Sequence, residues 1–207
     1  DPSAGPGLLA LTLDLNFGVQ VDHYVSVNMR TFEKVVDAVG GIDIHIPDEE
    51  TAKSTDLSVG DNHLNGPQAL KLARNRHDGT FARADNQNIV LCALRKKLTD
   101  PAVITEIPEL IDSFKDNIIT DFTPAQIGQL ACLGTKLPPQ NIVFATFPQE
   151  LFSQTRIFDP IFKKRVFIWD VDFDILSDYV DRFQAGTWPE PRIMVPSTTE
   201  DTEVVCE

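Results

Sequence analysis

Arg74, Arg76 and Arg83 fall within ten positions of one another, in a chain where 31 acidic residues face only 18 basic ones. A guanidinium carries a permanent charge and a planar set of donors that grips phosphate oxygens two at a time, which lysine does not reproduce. The run Leu72-Ala73-Arg74-Asn75-Arg76-His77-Asp78-Gly79-Thr80-Phe81-Ala82-Arg83-Ala84-Asp85-Asn86-Gln87 therefore reverses the local sign of a chain whose net charge is −13. Two readings of that spacing stay open. The arginines are either surface cations paired with Asp78 and Asp85, which contribute little, or a fork for an anionic phosphate ligand.

Other chemistries have weaker footing. The chain has no P-loop and no G-x-G-x-x-G run, and Ser58, Ser153 and Ser177 lack a G-x-S-x-G setting. Its three cysteines, Cys92, Cys132 and Cys206, show no metal-ligand spacing. Cys92 and Cys132 fall in apolar helical segments and read as buried thiols, Cys206 as an exposed one. His77 reads as an exposed loop histidine and His23, alternating with Val21 and Val25, as a satisfied core histidine. Asp37 reads as a solvent-facing helix residue, and Asp22 as a turn partner or a supporting group near the site. The acidic surface repels nucleic-acid backbones, so no nucleic-acid partner is expected and a DNA-binding regulator is disfavoured.

The elements that must position the arginines follow from periodicity. Hydrophobic residues at 42% and charged residues at 24% suit a soluble globular chain of 207 residues with a full core. No apolar run reaches membrane-spanning length; the longest candidate, Gly7 to Leu13, stops at Asp14. Residues 21–28 alternate as a strand, and Phe32, Val35, Val36 and Val39 mark one face of a helix over 31–39. Gly40-Gly41 closes that helix before Ile42, Ile44 and Ile46 alternate again. Residues 48–65 read as a polar loop. Helices are predicted from Pro67, over 84–98, from Pro108, and after Thr123, where Gln126 completes a capping box and Phe122 can staple against Ile127. Strands at 142–147 and 166–169 and a final helix through Ile175 to Phe183 complete the pattern. Strands 21–28 and 42–46 are expected to pair in one sheet, with helix 31–39 on its face. The predicted class is α/β, a layered α-β-α sandwich with a central mixed β-sheet. Residues 1–186 form the domain; residues 187–207, rich in proline, threonine and acid, read as a mobile tail.

Four segments in order carry a resemblance. They are Asp22-His23-Tyr24, Val36-Asp37-Ala38-Val39-Gly40-Gly41-Ile42, Leu64-Asn65-Gly66-Pro67-Gln68-Ala69-Leu70 and the Arg-x-Arg turn, with Ile119-Thr120-Asp121-Phe122-Thr123 after them. Together they resemble the LytR-CpsA-Psr family over roughly residues 5–185. The resemblance implies an extracytoplasmic, membrane-anchored phosphotransferase. Such an enzyme moves a glycopolymer from a polyprenyl pyrophosphate carrier to peptidoglycan or another envelope acceptor, with a divalent metal, Mg2+, beside the phosphates. It implies that Arg74, Arg76 and Arg83 bind the pyrophosphate and that Arg83 and Gln87 act in catalysis. Asp78 and Asp22 would support them, with no metal ligand assigned. Thr80 stands where the family usually has aspartate and Asn86 where it has a last arginine. That departure implies a second reading, a polyprenyl-phosphate-binding module with weak or no catalysis. The resemblance starts part-way through the family domain, so an S-x-P-R-D-type segment and an anchoring helix are expected upstream, and the isolated chain is expected to be less stable and incomplete at its site.

Overall fold

Ile42, Ile44 and Ile46 are buried while Asp43 and His45 between them face solvent, the period-two pattern of a half-buried strand. In the computed structural model this strand belongs to a chain described over residues 4–77, 79–104, 117–138, 141–189 and 203–205. Two compact units divide it: Asp22–Ala145 with Glu203–Glu207, and Asp1–Val21 with Thr146–Thr202.

The first unit carries the arginines. Its elements are β1 (Val25–Val27), α2 (Met29–Ala38), β2 (Ile42–Ile46), α3 (Glu49–Thr55), β3 (Gly60–Leu64), α4 (Gly66–Ala73), α5 (Gly79–Leu98), α6 (Pro101–Ile104), β4 (Ile118–Thr120), α7 (Pro124–Lys136), β5 (Val143–Ala145) and β8 (Glu203–Val205). The helix α1 (Ala4–Phe17) belongs to the other unit, with β6 (Ser153–Asp159), β7 (Lys164–Asp170) and α8 (Phe173–Gln184). There, Trp188 stacks on Phe147 at 5.9 Å and meets Tyr179 edge-on at 4.9 Å. Among the described residues no helix is long and apolar enough to cross a membrane.

The α/β class holds, and the strands form antiparallel pairs: β1–β4, β2–β3, β5–β8 and β6–β7. The expected pairing of 21–28 with 42–46 is corrected, since β1 and β2 lie in different sheets. Strand β1 is also shorter than predicted, and Val25 and Val27 are exposed. Residues 48–65 are not a loop. Asp48 caps α3 by accepting from Thr51 N at 2.7 Å, and β3 is drawn into a ladder with β2 in which Asp43 faces His63 and His45 faces Asp61. The helix from Pro108 lies outside the described residues.

One core organises this unit: Val36 from α2, Ile42, Ile44 and Ile46 from β2, Leu64 from β3, Ala69 and Leu72 from α4, and Val90 from α5. Each fully buried Ile or Leu contributes about 1.5–3 kcal/mol. Asp37 is solvent-facing yet also structural, since its Oδ1 accepts from Gly66 N at 2.7 Å and ties α2 to the start of α4. The cysteine expectations are corrected. Cys92 is disulfide-bonded and Cys132 is an exposed free thiol; Cys206 lies outside the described residues.

The predicted capping box at Thr123 and Gln126 is present. The Phe122 and His23 ring centroids lie 4.2 Å apart, and His23 is exposed rather than a core residue. Its Nδ1 is 3.2 Å from Asp121 Oδ2, and its Nε2 is 3.2 Å from Gln126 Nε2. Asp121 Oδ1 accepts from Tyr24 N at 3.0 Å. The Tyr24 amide first, and then the His23 side chain, hold the Asp121 carboxyl below its ordinary 3.8. A depressed carboxyl stabilises the fold above its unfolded value and loses that contribution as pH falls through the folded one. Asp121→Asn should therefore be less stable than wild type at neutral pH, with the gap closing as the solution is acidified below pH 3.8. Urea midpoints across that range check this; a gap independent of pH would remove the carboxylate's role.

Candidate functional site

The arginine turn begins where α4 ends, so the construction of α4 decides where the guanidiniums sit. Asn65 accepts from Gln68 N and Gln68 Oε1 accepts from Asn65 N, both at 3.0 Å, with Pro67 in the first turn. This reciprocal cap satisfies two orphan amides and sets the start of the helix. Eight residues later Arg74 is the C-cap, its amide donating to Leu70 O at 3.1 Å. Asn75 N then donates to Leu72 O, and Gly79 N to Arg76 O, each at 3.0 Å, which folds the chain back into α5.

Three side-chain contacts fix the turn from outside. Asn75 Nδ2 donates to Ser54 Oγ at 2.9 Å, binding it to α3. His77 Nδ1 lies 3.3 Å from Glu50 Oε1, so His77 is an anchor of the turn rather than a bare loop residue. Gln87 Nε2 donates to Ala73 O at 3.2 Å, joining α5 to the last turn of α4.

Arg74 and Arg76 line one concavity of about 460 Å3 with Lys71, Asn75 and Ser54. Both arginines are exposed, and neither makes an ion pair among the described residues. Lys71, which the sequence reading missed, is held by Asp56; it lies one helical turn before Arg74, and that spacing was its available signal. Arg83 is half-buried in α5, and its Nε is buried with no hydrogen-bond partner among the described residues. Arg83 and Gln87 are four residues apart on one helix face. Because Gln87 reaches Ala73, that face is the one turned toward the end of α4.

The remaining expected residues are placed as follows. Asp22 is exposed, and among the described residues no hydrogen bond or ion pair links it to the arginine turn. Asp78 lies outside the described residues. Thr80 is half-buried in the first turn of α5, and Asn86 is buried. Beyond Ser54 a second concavity, of about 550 Å3, is lined by Glu49, Glu50, Lys53 and His77. Its carboxylates are already engaged, Glu49 by Lys53 at 2.9 Å and Glu50 by His77. Among the described residues no group of three or more His, Cys, Asp or Glu side chains is arranged to hold a metal ion. The chemistry described for this site rests on its arginines.

The chain is 31% identical over 126 residues to the polyisoprenyl-teichoic acid–peptidoglycan teichoic acid transferase TagU of Bacillus mycoides, covering 59% of this chain and 41% of that protein. It is 30% identical over 131 residues to the regulatory protein MsrR of Staphylococcus aureus, covering 60% of this chain and 40% of MsrR. It thus spans about two fifths of the length of the curated relatives it matches. The solved Lin1025 protein of Listeria innocua superimposes with a TM-score of 0.68 at 24% identity, over 87% of this chain and 74% of that one, a likeness of fold. The LytR_cpsA_psr family model matches residues 2–165, and the chain belongs to that family.

Proposed function

We propose that this chain is the catalytic portion of a cell-envelope phosphotransferase that moves a glycopolymer from a polyprenyl pyrophosphate carrier to peptidoglycan or a similar wall acceptor. The observation that carries this reading is the pair of exposed guanidiniums, Arg74 and Arg76, sharing one concavity without a carboxylate partner among the described residues. In a chain of net charge −13, two exposed arginines sharing one concavity support an anion site there. Family membership and a teichoic acid transferase among the relatives support the chemical class. The disulfide at Cys92 suits an oxidising, extracytoplasmic compartment.

In the proposed reaction an acceptor hydroxyl attacks the phosphorus that carries the glycan. A new P–O bond forms, the bond to the bridging oxygen breaks, polyprenyl phosphate leaves, and the hydroxyl proton passes to solvent. Arg74, Arg76 and Arg83 offset the charge that builds on the pyrophosphate oxygens. Gln87, with one amide hydrogen committed to Ala73, steadies Arg83's helix against the turn. Anchoring to the membrane through an upstream helix is part of the same reading.

The second reading, a carrier-binding module with weak catalysis, is favoured by the burial of Asn86, which leaves the family's last arginine unreplaced at that position. Transfer of a polyprenyl pyrophosphate-linked phosphoglycan to peptidoglycan separates the two. Wild type should transfer, and Arg74→Ala/Arg76→Ala should lose roughly 100-fold or more, two charge-assisted contacts at about 1.5–3 kcal/mol each. Thr80→Asp should raise turnover if the family aspartate acts there. Carrier binding without any transfer establishes the binding module instead.

A further inference from the structure

The chain carries a net charge of −13, but its β6–β7 hairpin carries the opposite sign. Arg156, Lys163, Lys164 and Arg165 stand there against Asp159 and Asp170, a local charge of +2 in a chain of −13. The same hairpin shows solvent an unusual amount of apolar side chain. Ile161 is 83% exposed, Phe162 67% and Phe158 63%, with Phe167 and Ile157 also exposed. Hairpin turns are normally polar, so bulky apolar residues at a tip call for a partner.

The turn is built to hold those residues outward. Asp159 Oδ1 accepts from Ile161 N at 2.8 Å and from Phe162 N at 3.0 Å, so the only carboxylate of the tip is spent organising it. Lys163 takes a left-handed conformation at φ 50, which closes the turn into β7. Lys164 Nζ lies 5.8 Å from the centre of the Phe162 ring. In the ladder Arg156 faces Phe167 and Phe158 faces Arg165, so one surface alternates cations with aromatic rings.

We propose that this hairpin is a docking surface for an anionic lipid bilayer. Ile161 and Phe162 enter the interface between headgroups and acyl chains, and Lys163, Lys164 and Arg165 meet lipid phosphates beside them. Apolar side chains flanked by cations are the combination that binds anionic membranes in preference to neutral ones. The hairpin's cations complement such a surface, although the chain as a whole carries a net charge of −13. The surface stands independently of the arginine turn.

Co-sedimentation of the full chain with vesicles tests this. Vesicles of phosphatidylcholine with about one third phosphatidylglycerol should bind the chain, and phosphatidylcholine alone should bind it at least roughly tenfold more weakly. Ile161→Ser/Phe162→Ser should lower affinity for the anionic vesicles about tenfold. Lys163→Gln/Lys164→Gln/Arg165→Gln should lower it about fivefold per cation and flatten its salt dependence. Melting temperatures should be unchanged, since these side chains are exposed. Arg74→Ala/Arg76→Ala should bind vesicles like wild type. The proposal is overturned by equal binding to both vesicle types, by hairpin variants that bind normally, or by a loss that follows the Arg74/Arg76 pair instead. It is equally overturned if sedimentation equilibrium shows a dimer that the Ile161/Phe162 variant converts to monomer, because the hairpin then serves a second copy.

Discussion

Arg83→Ala should weaken binding of a polyprenyl pyrophosphate analogue by about 1.5–3 kcal/mol, roughly 10- to 150-fold, while leaving the fold as stable as before. The two halves of this expectation have one origin. Among the described residues Arg83 Nε is buried and finds no acceptor, so that donor adds no hydrogen bond to the fold and carries the cost of its desolvation. Removing it costs no hydrogen bond from that atom. A ligand phosphate that supplies the missing acceptor recovers the cost on binding, and alanine forfeits that recovery. Lysine should restore only part of the affinity, because its ammonium supplies charge without the planar fork. Titration calorimetry with wild type, Arg83→Ala and Arg83→Lys, beside thermal melts of each, measures both halves. Equal affinities in the three proteins would remove Arg83 from the phosphate contacts and leave the anion site to Arg74 and Arg76.

What the sequence showed of this site depended on how local each signal was. Arg74, Arg76 and Arg83 lie in one short run, so their clustering was readable before any fold was known. Lys71, one helical turn before Arg74, was legible from spacing, but Ser54 joins the same concavity through the packing of α4 against α3, and no spacing rule connects residue 54 with residue 76. The same distinction runs through the fold. Ile42, Ile44 and Ile46 alternate, and Thr123 with Gln126 forms a capping box; both are determined within a few residues and both were legible. Strand β3 was not, because Gly60-Asp61-Asn62-His63 holds poor strand formers that extend only when β2 offers its ladder and His63 Nδ1 meets Asp43 at 2.6 Å. Helix α3 has seven residues, too few for a periodic apolar face to stand out. The pairing of β1 with β4 joins Val25 to Thr120, and local pattern carries nothing about partners so far apart.

Gly66→Ala should be the most damaging single-methyl change in this chain. A Cβ on Gly66 would sit 2.1 Å from Glu33 O, 2.6 Å from Glu33 C and 2.7 Å from Glu33 Cα. All three are backbone atoms of α2, so no side chain can swing away, and either α2 or α4 must move. Both helices are held in the core by fully buried residues, Val36 on α2 and Ala69 and Leu72 on α4. Moving either one opens that contact and lengthens the 2.7 Å hydrogen bond from Gly66 N to Asp37 Oδ1. Overpacking of this kind costs about 3 kcal/mol at the upper end of its usual range, with about 1 kcal/mol more for the hydrogen bond. For a chain of this size that lowers the melting temperature by roughly 8–16 °C. Gly128, within α7, is the control: nothing lies within 4 Å of its added Cβ, so Gly128→Ala should hold or raise stability by about 0.5–1 kcal/mol. The loss should reach the site as well, because α4 carries Arg74 at its C-terminus and a displaced helix displaces the guanidinium with it. Gly66→Ala should therefore bind the pyrophosphate analogue more weakly even below its own melting temperature. A variant that melts with wild type would show that the α2–α4 contact has slack, and the tight crossing would then not be what positions the arginine turn.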